Sequence, residues 1–155
     1  MSHEPGLPLG IGLIGVGHHG SRYAKHLLQD LPEARLAAVS RRRTAGGNGL
    51  ASAPAVPCYP DYHELIADPR VAAVVVVTPP ELNREICLAV VQAQKALLVE
   101  KPLAISATDA RAIAQAAQRS GQITMTAHTL RFDAAVGVLR ERQAQIGALQ
   151  YLSLA

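Results

Sequence analysis

Short apolar runs alternate along the chain with longer segments in which apolar residues recur every three or four positions. Apolar runs rich in β-branched residues are typical of strands buried on both faces, whereas the longer periodic segments are typical of amphipathic helices. The apolar runs predict strands at residues 9–14, 35–39, 56–59, 72–77, 96–99, 123–127 and 148–154. The periodic segments predict helices at residues 21–31, 61–67, 81–93, 106–119 and 133–145.

The residues at the ends of these segments support the assignment. Asp61 and Ser106 are suited to cap the second and fourth helices, because their side-chain oxygens can accept hydrogen bonds from free backbone N–H groups. Gly121 and Gly147 follow the last two helices, where glycine often ends a helix. Residues 41–57 are rich in glycine and proline, which predicts a loop or a degraded helix.

The regular alternation of strands and helices predicts an α/β fold with a doubly wound, mostly parallel sheet. A length of 155 residues suits one domain, and a composition of 49% hydrophobic and 17% charged residues excludes a disordered chain. The longest apolar run, at residues 71–77, is far shorter than the ~20 residues of a membrane helix. The N-terminus lacks the pattern of a signal peptide. We therefore expect a cytoplasmic protein with no membrane segment.

The net charge of +3 comes in part from one basic run, Arg41-Arg42-Arg43. No nucleic-acid-binding motif accompanies this run, so a phosphate-bearing small molecule is the better predicted partner than DNA or RNA. Cys58 and Cys87 do not have the spacing of metal ligands and are expected to be reduced thiols. The pair His18 and His19 has no carboxylate or cysteine at ligand spacing, so no metal site is predicted.

A glycine pattern at the first strand–helix junction predicts a dinucleotide site. Gly15, Gly17 and Gly20 form a G-x-G-x-x-G that follows a predicted strand and opens a predicted helix. The first glycine permits the tight turn, the second lets the backbone approach a pyrophosphate, and the third lets the helix pack against the strand. The free N–H groups at the helix N-terminus attract phosphate, and His18 and His19 are expected to line the loop. The alternative is a tight turn that binds no ligand.

The end of the second predicted strand indicates which nucleotide is preferred. An NAD-binding domain usually carries Asp or Glu there to hold the ribose 2′-OH. This chain carries Ser40, Arg41 and Arg42 instead, and no acid occurs between Glu33 and Asp61. Guanidinium groups bind a 2′-phosphate, which a carboxylate would repel. We predict NADP(H) as the favoured cofactor, with NAD(H) possible; the alternative is a solvated basic turn that contacts no ligand.

Three further segments follow predicted strands and carry a family resemblance: Thr78-Pro79-Pro80, Glu100-Lys101-Pro102 and His128-Thr129-Leu130-Arg131-Phe132. Together with the glycine loop, in this order and spacing, they resemble the N-terminal domain of the glucose–fructose oxidoreductase / inositol dehydrogenase (Gfo/Idh/MocA) family. The resemblance covers nearly the whole chain from about residue 9. It implies a Rossmann fold that binds NAD(P) and transfers hydride at a secondary alcohol or carbonyl of a sugar, polyol or related ring.

The resemblance also implies roles for single residues. Lys101 would lie beside the nicotinamide and the substrate hydroxyl and assist proton transfer as the catalytic residue; the alternative is a surface lysine paired with its neighbouring glutamate. Asn83 lies near the place where the family often has histidine, and an asparagine can hydrogen-bond but cannot titrate. Further cofactor contacts are expected from these residues: Thr78, Pro79, Asn83, Glu100, Lys101 and Arg131.

Family members continue into a second α+β domain that supplies most substrate contacts. By that resemblance, residues 1–147 form the NAD(P)-binding domain and residues 148–155 begin a truncated substrate domain, which is otherwise absent. The chain alone is then expected to hold the cofactor without one wall of the substrate site. Two alternatives are a stand-alone, non-catalytic dinucleotide-binding module and an empty scaffold for protein interactions. The unpaired strand at 148–154 could join a second copy and give a homo-oligomer.

Overall fold

The computed structural model describes residues 8–42, 56–145 and 147–148, in which strands and helices alternate. The strands are β1 (Leu9–Ile14), β2 (Ala34–Ser40), β3 (Cys58–Tyr59), β4 (Ala73–Val76), β5 (Ala96–Val99) and β6 (Thr124–Thr126). The α-helices are α1 (His18–Gln29), α2 (Tyr62–Ala67), α3 (Pro80–Gln92), α4 (Ala107–Ser120) and α5 (Ala134–Arg142). Two 3-10 helices span Thr129–Phe132 and Gln143–Gln145.

The six strands form one sheet in the order β3-β2-β1-β4-β5-β6, and each pairing is parallel. The order runs outward in both directions from β1 and β4, so the connections diverge between these two strands. In a parallel sheet of this kind, ligands bind beyond the carboxyl ends of the strands where the connections diverge. The predicted doubly wound α/β fold is confirmed, and it places the glycine loop after β1 at this position.

Two hydrophobic clusters cover the two faces of the sheet. Strand residues alternate between them, as the two-residue period of a strand requires. On one face, α1 packs through Ala24 onto Leu13, Val39 and Val75. On the other face, α2, α3 and α4 contribute Leu65, Ile66, Ile86, Cys87, Val90, Val91 and Ile113 to the larger cluster. Burial on both faces accounts for the continuous apolar runs of the strands.

The predicted element bounds agree with the structure to within a few residues, and the capping residues act as predicted. The Asp61 side chain accepts a hydrogen bond from the His63 N–H, and Ser106 accepts one from the Asp109 N–H. Gly121 ends α4 with a left-handed φ of 68°. The predicted strand at 148–154 and most of the predicted loop at 41–57 lie outside the described residues.

Two predicted bounds differ from the structure in instructive ways. Helix α1 begins at His18 rather than at residue 21, because the loop residues after Gly17 already turn into the helix. The predicted helix at 133–145 is confirmed as α5 only to Arg142, after which it tightens into a 3-10 turn. Helix ends often tighten in this way. The 3-10 helix Thr129–Phe132 was not predicted.

A polar cluster around the buried Asp68 and Lys95 lies next to the starts of β4 and β5. Asp68 accepts hydrogen bonds from the Arg70 backbone N–H and guanidinium and from the Tyr59 hydroxyl. The Lys95 ammonium donates to the backbone carbonyls of Asp68 and Val71. Burial lowers the pKa of Lys95, and the nearby Asp68 opposes that shift. The cluster joins β3, the α2–β4 turn and the residue before β5.

We predict that the Asp68→Asn substitution destabilises the domain at neutral pH. Hydrogen bonds from Arg70 are the main reason that the pKa of Asp68 falls to about 2. A carboxyl whose pKa is lower in the folded state stabilises the fold above its unfolded pKa and loses that effect as pH falls toward the folded value. The shift corresponds to about 2 kcal/mol, lost between about pH 4 and pH 2. Urea unfolding at pH 7 and pH 3 measures it.

The matched control is Asp30→Asn, since Asp30 is an exposed carboxylate that pairs with His26 on α1. This control is expected to change the unfolding free energy by less than about 0.5 kcal/mol. Equal stability of Asp68→Asn and the parent chain at pH 7 would contradict the prediction. So would a loss of stability between pH 7 and pH 3 that is equally large in the variant and in the parent chain.

Candidate cofactor site

A cleft of about 640 Å³ opens at the carboxyl ends of β1, β2 and β4. Its volume suits a ligand of the size of a nucleotide portion. Seven residues predicted from the sequence line it together: Gly15, Gly17, Ser40, Arg41, Arg42, Thr78 and Pro79. The other described residues that line the cleft are Ile14, Val16, Pro60, Asp61, Tyr62, Val77, Leu82, Glu85 and Ile86. The cleft therefore lies at the predicted place in the fold.

The three loop glycines meet different demands. Gly15 has a φ of +92°, and a Cβ there would lie 2.3 Å from the Val77 carbonyl oxygen. A Cβ on Gly20 would lie 2.0 Å from the Gly15 carbonyl oxygen. Both positions exclude other residues through contacts within the protein. Gly17 differs, because a Cβ there would meet no protein atom within 4 Å, and its φ of −79° suits any residue.

The N-terminus of α1 faces this loop. Within the described chain no side chain caps the helix at Gly17, and no acidic residue lies in its first turn. The first N–H groups of a helix have no partner inside the helix and carry a partial positive charge. His18 and His19 are the first two residues of the helix and are exposed. The arrangement is suited to bind an anion such as a pyrophosphate.

The end of β2 supplies the basic wall of the cleft. Ser40 is 4% exposed, and its carbonyl accepts a hydrogen bond from the Gly15 N–H, which ties β2 to the loop. Arg41 is partly buried and donates its backbone N–H to the Tyr59 carbonyl, whereas Arg42 is exposed. Two arginines thus follow a buried serine at the position where nucleotide-binding domains of this fold contact the ribose.

Part of the cleft lining was not predicted from the sequence. Asp61 and Tyr62 come from the start of α2, and Leu82 and Glu85 come from α3. The Tyr62 hydroxyl donates to Glu85 Oε1 at 2.7 Å. Burial, followed by this hydrogen bond, raises the pKa of Tyr62 to about 12. A signal was available, because the predicted strand at 56–59 ends at the same sheet edge and places its following residues there.

Asn83 is not among the described residues that line the cleft, although it contacts one of them. Its side chain is 1% exposed, accepts from the Thr78 hydroxyl at 2.9 Å, and donates to the carbonyls of Pro102 and Leu103 at 3.1 and 3.2 Å. These contacts connect the turn after β4 and the start of α3 to the loop after β5. Asn83 was expected to contact the cofactor, and the structure shows it holding two loops of the site together.

Glu100 and Lys101 follow β5 at the same edge of the sheet. Glu100 accepts from His19 Nε2 and the Tyr23 hydroxyl, both at 2.7 Å, and from the Lys101 N–H at 3.0 Å. Burial favours the protonated acid, but these hydrogen bonds prevail and lower the pKa of Glu100. The Lys101 side chain is exposed. Arg131 is exposed on the 3-10 helix after β6 and is not part of the described lining of the cleft.

No three His, Cys, Asp or Glu side chains of the described residues are grouped so as to hold a metal ion. Cys58 is exposed and Cys87 is buried, both are free, and burial raises the pKa of Cys87 to about 12. None of the described helices has the length and apolar character needed to cross a membrane.

Comparisons with known proteins identify the family of this chain. Residues 9–128 match the Gfo/Idh/MocA family model, which describes an oxidoreductase family with an NAD-binding Rossmann fold. Inositol 2-dehydrogenase of Paracoccus denitrificans is 32% identical over 143 residues, which cover 90% of this chain and 43% of that enzyme. 1,5-anhydro-D-fructose reductase of Ensifer adhaerens is 45% identical over 82 residues, which cover 53% of this chain and 25% of that enzyme.

The solved structures show the same likeness at the level of the fold. An NAD binding oxidoreductase from Klebsiella pneumoniae superposes with a TM-score of 0.75 at 33% identity, covering 90% of this chain and 39% of the other. The chain spans less than half the length of each relative compared. Family match, sequence identity and fold together show that the chain belongs to the Gfo/Idh/MocA oxidoreductase family, within its NAD-binding Rossmann domain.

Proposed function

We propose that this chain is the cofactor-binding domain of an NADP(H)-dependent oxidoreductase that transfers hydride at a secondary alcohol or carbonyl of a cyclic polyol or sugar. The observation that carries the proposal is the free space beside Gly17. No protein contact within the described chain requires glycine there, yet the residue lies in the cleft at the N-terminus of α1. A pyrophosphate that approaches the backbone closely accounts for the missing side chain.

The preference for NADP(H) over NAD(H) rests on the wall formed by Ser40, Arg41 and Arg42. Two guanidinium groups attract a 2′-phosphate and bind it with charge-assisted hydrogen bonds. A buried serine at the end of β2 leaves room for the phosphate and brings no negative charge. Carboxylates do line the cleft at Asp61 and Glu85, but they come from α2 and α3 rather than from the end of β2.

Lys101 is the proposed catalytic residue. It follows β5, its side chain is exposed, and the loop that carries it is held by Asn83 through the carbonyls of Pro102 and Leu103. When bound, the nicotinamide ring supplies the hydride acceptor or donor. Lys101 Nζ is proposed to hydrogen-bond the substrate oxygen and to assist the proton transfer that accompanies oxidation of a hydroxyl or reduction of a carbonyl.

The substrate class is proposed from two relatives, an inositol 2-dehydrogenase and a 1,5-anhydro-D-fructose reductase. Both names describe reactions at a carbon of a six-membered, polyhydroxylated ring. Further cofactor contacts are proposed from Thr78 and Pro79 in the cleft wall, and from His18, His19 and Arg131. A second domain that begins near residue 148 is proposed to supply the remaining substrate contacts, and the cytoplasm is the proposed location.

A second candidate function is a dinucleotide-binding module without catalysis. It is favoured by the origin of the cleft, whose described lining comes wholly from residues 14–86 and needs no other domain. Both candidates require cofactor binding by this chain. Only the first predicts that adding the proposed second domain produces turnover of NADPH with a cyclic ketose or inosose, so a coupled absorbance assay separates them.

We predict that Gly17→Ala weakens NADPH binding about tenfold, because a methyl group takes the place of a phosphate oxygen. The added Cβ meets no protein atom, so the melting temperature is expected to stay within about 2 °C of the parent chain. Calorimetric titration with NADPH gives the affinity.

Gly137→Ala is the matched control, since a Cβ there also has open space but lies on α5, remote from the loop. It is expected to bind NADPH as the parent chain does. Unchanged affinity in Gly17→Ala would remove the main support for the dinucleotide site.

We also predict that Arg42→Ala lowers NADPH affinity about tenfold and leaves NADH affinity within about twofold, because only the 2′-phosphate is expected to contact the guanidinium. Titrations with both cofactors at one salt concentration measure the difference. Arg119→Ala, which removes an exposed arginine from the end of α4, is the control. Tighter binding of NADH than NADPH by the parent chain would refute the preference and leave the dinucleotide site standing.

A further inference from the structure

Glu100 joins two parts of the site that are far apart in sequence. Its Oε1 accepts from His19 and Tyr23, which are 81 and 77 positions away and lie in the first turns of α1. Its Oε2 accepts from the backbone N–H of Lys101. The carboxylate therefore contacts the helix that carries the phosphate loop and the loop that carries the proposed catalytic lysine.

The contacts occupy most of what this carboxylate can accept. An ionised carboxylate has two oxygens with about four acceptor positions, and three of them are used by groups of the protein. Glu100 is 8% exposed, and the hydrogen bonds that it accepts keep its pKa below the ordinary value despite its burial. A buried charge of this kind must be satisfied locally, since an unpaired one is costly. These contacts hold the carboxylate in place and leave little of it free to bind a ligand.

Resting on the proposed function, we propose that Glu100 is a positioning residue that ties the first turns of α1 to the Lys101 loop and so sets the orientation of Lys101 relative to the bound dinucleotide. His19, Tyr23 and the Lys101 N–H are the groups through which it acts. We refer to Glu100 with His19 and Tyr23 as the α1–β5 tie.

The tie is arranged to transmit position. His19 and Tyr23 lie four residues apart, on neighbouring turns of one helix face, and their rings meet edge to face with centroids 5.7 Å apart. Two donors on one helix fix both the position of the carboxylate along α1 and its orientation. The hydrogen bond from the Lys101 N–H then fixes the backbone from which the lysine side chain extends. Small errors in such positioning reduce rates strongly, because reacting groups must be held in near-attack geometry.

The other side of the same loop is held by a second polar contact. The buried Asn83 donates to the carbonyls of Pro102 and Leu103 and accepts from Thr78. The Lys101 loop is thus tied toward α1 by a carboxylate and toward α3 by an amide. Loss of the hydrogen bond from His19 or Tyr23 leaves the contacts of Asn83 in place, so variants of the α1–β5 tie are expected to fold.

The experiment follows the lysine side chains directly by NMR. The chain contains three lysines, Lys25, Lys95 and Lys101. Reductive methylation with ¹³C-formaldehyde gives each accessible lysine one dimethylamino signal without removing its charge. Assignment of Lys101 comes from the signal that disappears in Lys101→Arg. The measured quantity is the change in the Lys101 signal at saturating NADPH, which does not depend on affinity.

Tyr23→Phe and His19→Gln each weaken the tie while keeping a side chain of similar size. Both are expected to reduce the NADPH-induced shift of the Lys101 signal by at least about half, and to raise the Kd for NADPH by roughly three- to tenfold. His26→Gln is the matched control, because His26 lies on the same helix and pairs with a carboxylate, Asp30, that is exposed. It is expected to match the parent chain in both measurements.

A merely structural role for Glu100 gives a different result. Tyr23→Phe and His19→Gln would then lower the unfolding free energy, but the saturated Lys101 shift would equal that of the parent chain, and the proposal would be overturned. Failure of the proposed function is recognised separately, since the parent chain would then show no NADPH-induced shift at all. In that event the Lys101 backbone amide signal of the free protein still tests the tie, which requires that signal to move in both variants.

Discussion

The close contact between helix α1 and the strands β1 and β4 is the constraint on which the site depends. Gly20 lies so near the Gly15 carbonyl, and Gly15 so near the Val77 carbonyl, that neither position can carry a side chain. This contact sets the start of α1 directly beyond the end of β1, at the point where the strand connections diverge. The unpaired N–H groups of the helix therefore face the cleft rather than solvent alone.

The electrostatics of the cleft follow from which strand or helix supplies each wall. The end of β2 contributes Arg41 and Arg42, and the helices beyond β3 and β4 contribute Asp61 and Glu85. Positive charge thus follows β2, and negative charge follows β3 and β4, around the same cleft. Since like charges that share a site repel and opposite charges attract, this distribution favours a ligand whose phosphate lies toward β2.

The sequence predicted the fold and the cleft residues at the ends of β1, β2 and β4, because both depend on local patterns. Apolar runs place the strands, and the glycine spacing places the loop after β1. The contribution of Tyr62 and Glu85 to the cleft was not predicted, since it depends on the packing of α2 against α3. The bonds by which Asn83 and Glu100 join separate parts of the chain were not predicted either, because those partners lie 19 or more positions away in sequence. Residues 43–55, between β2 and β3, lie outside the described structure.

The predicted site residues are of two physical kinds, and burial separates them. Gly17, Arg42 and Lys101 are exposed and hold few of the contacts that stabilise the fold, which is the basis for proposing that they contact a ligand. Asn83 and Glu100 are buried and bonded to distant loops, so their residue types are explained by what they hold in place. A buried polar residue in a motif is costly to leave unsatisfied, which makes it a rigid support. The position of Lys101 therefore depends on Asn83 and Glu100 as much as on its own side chain.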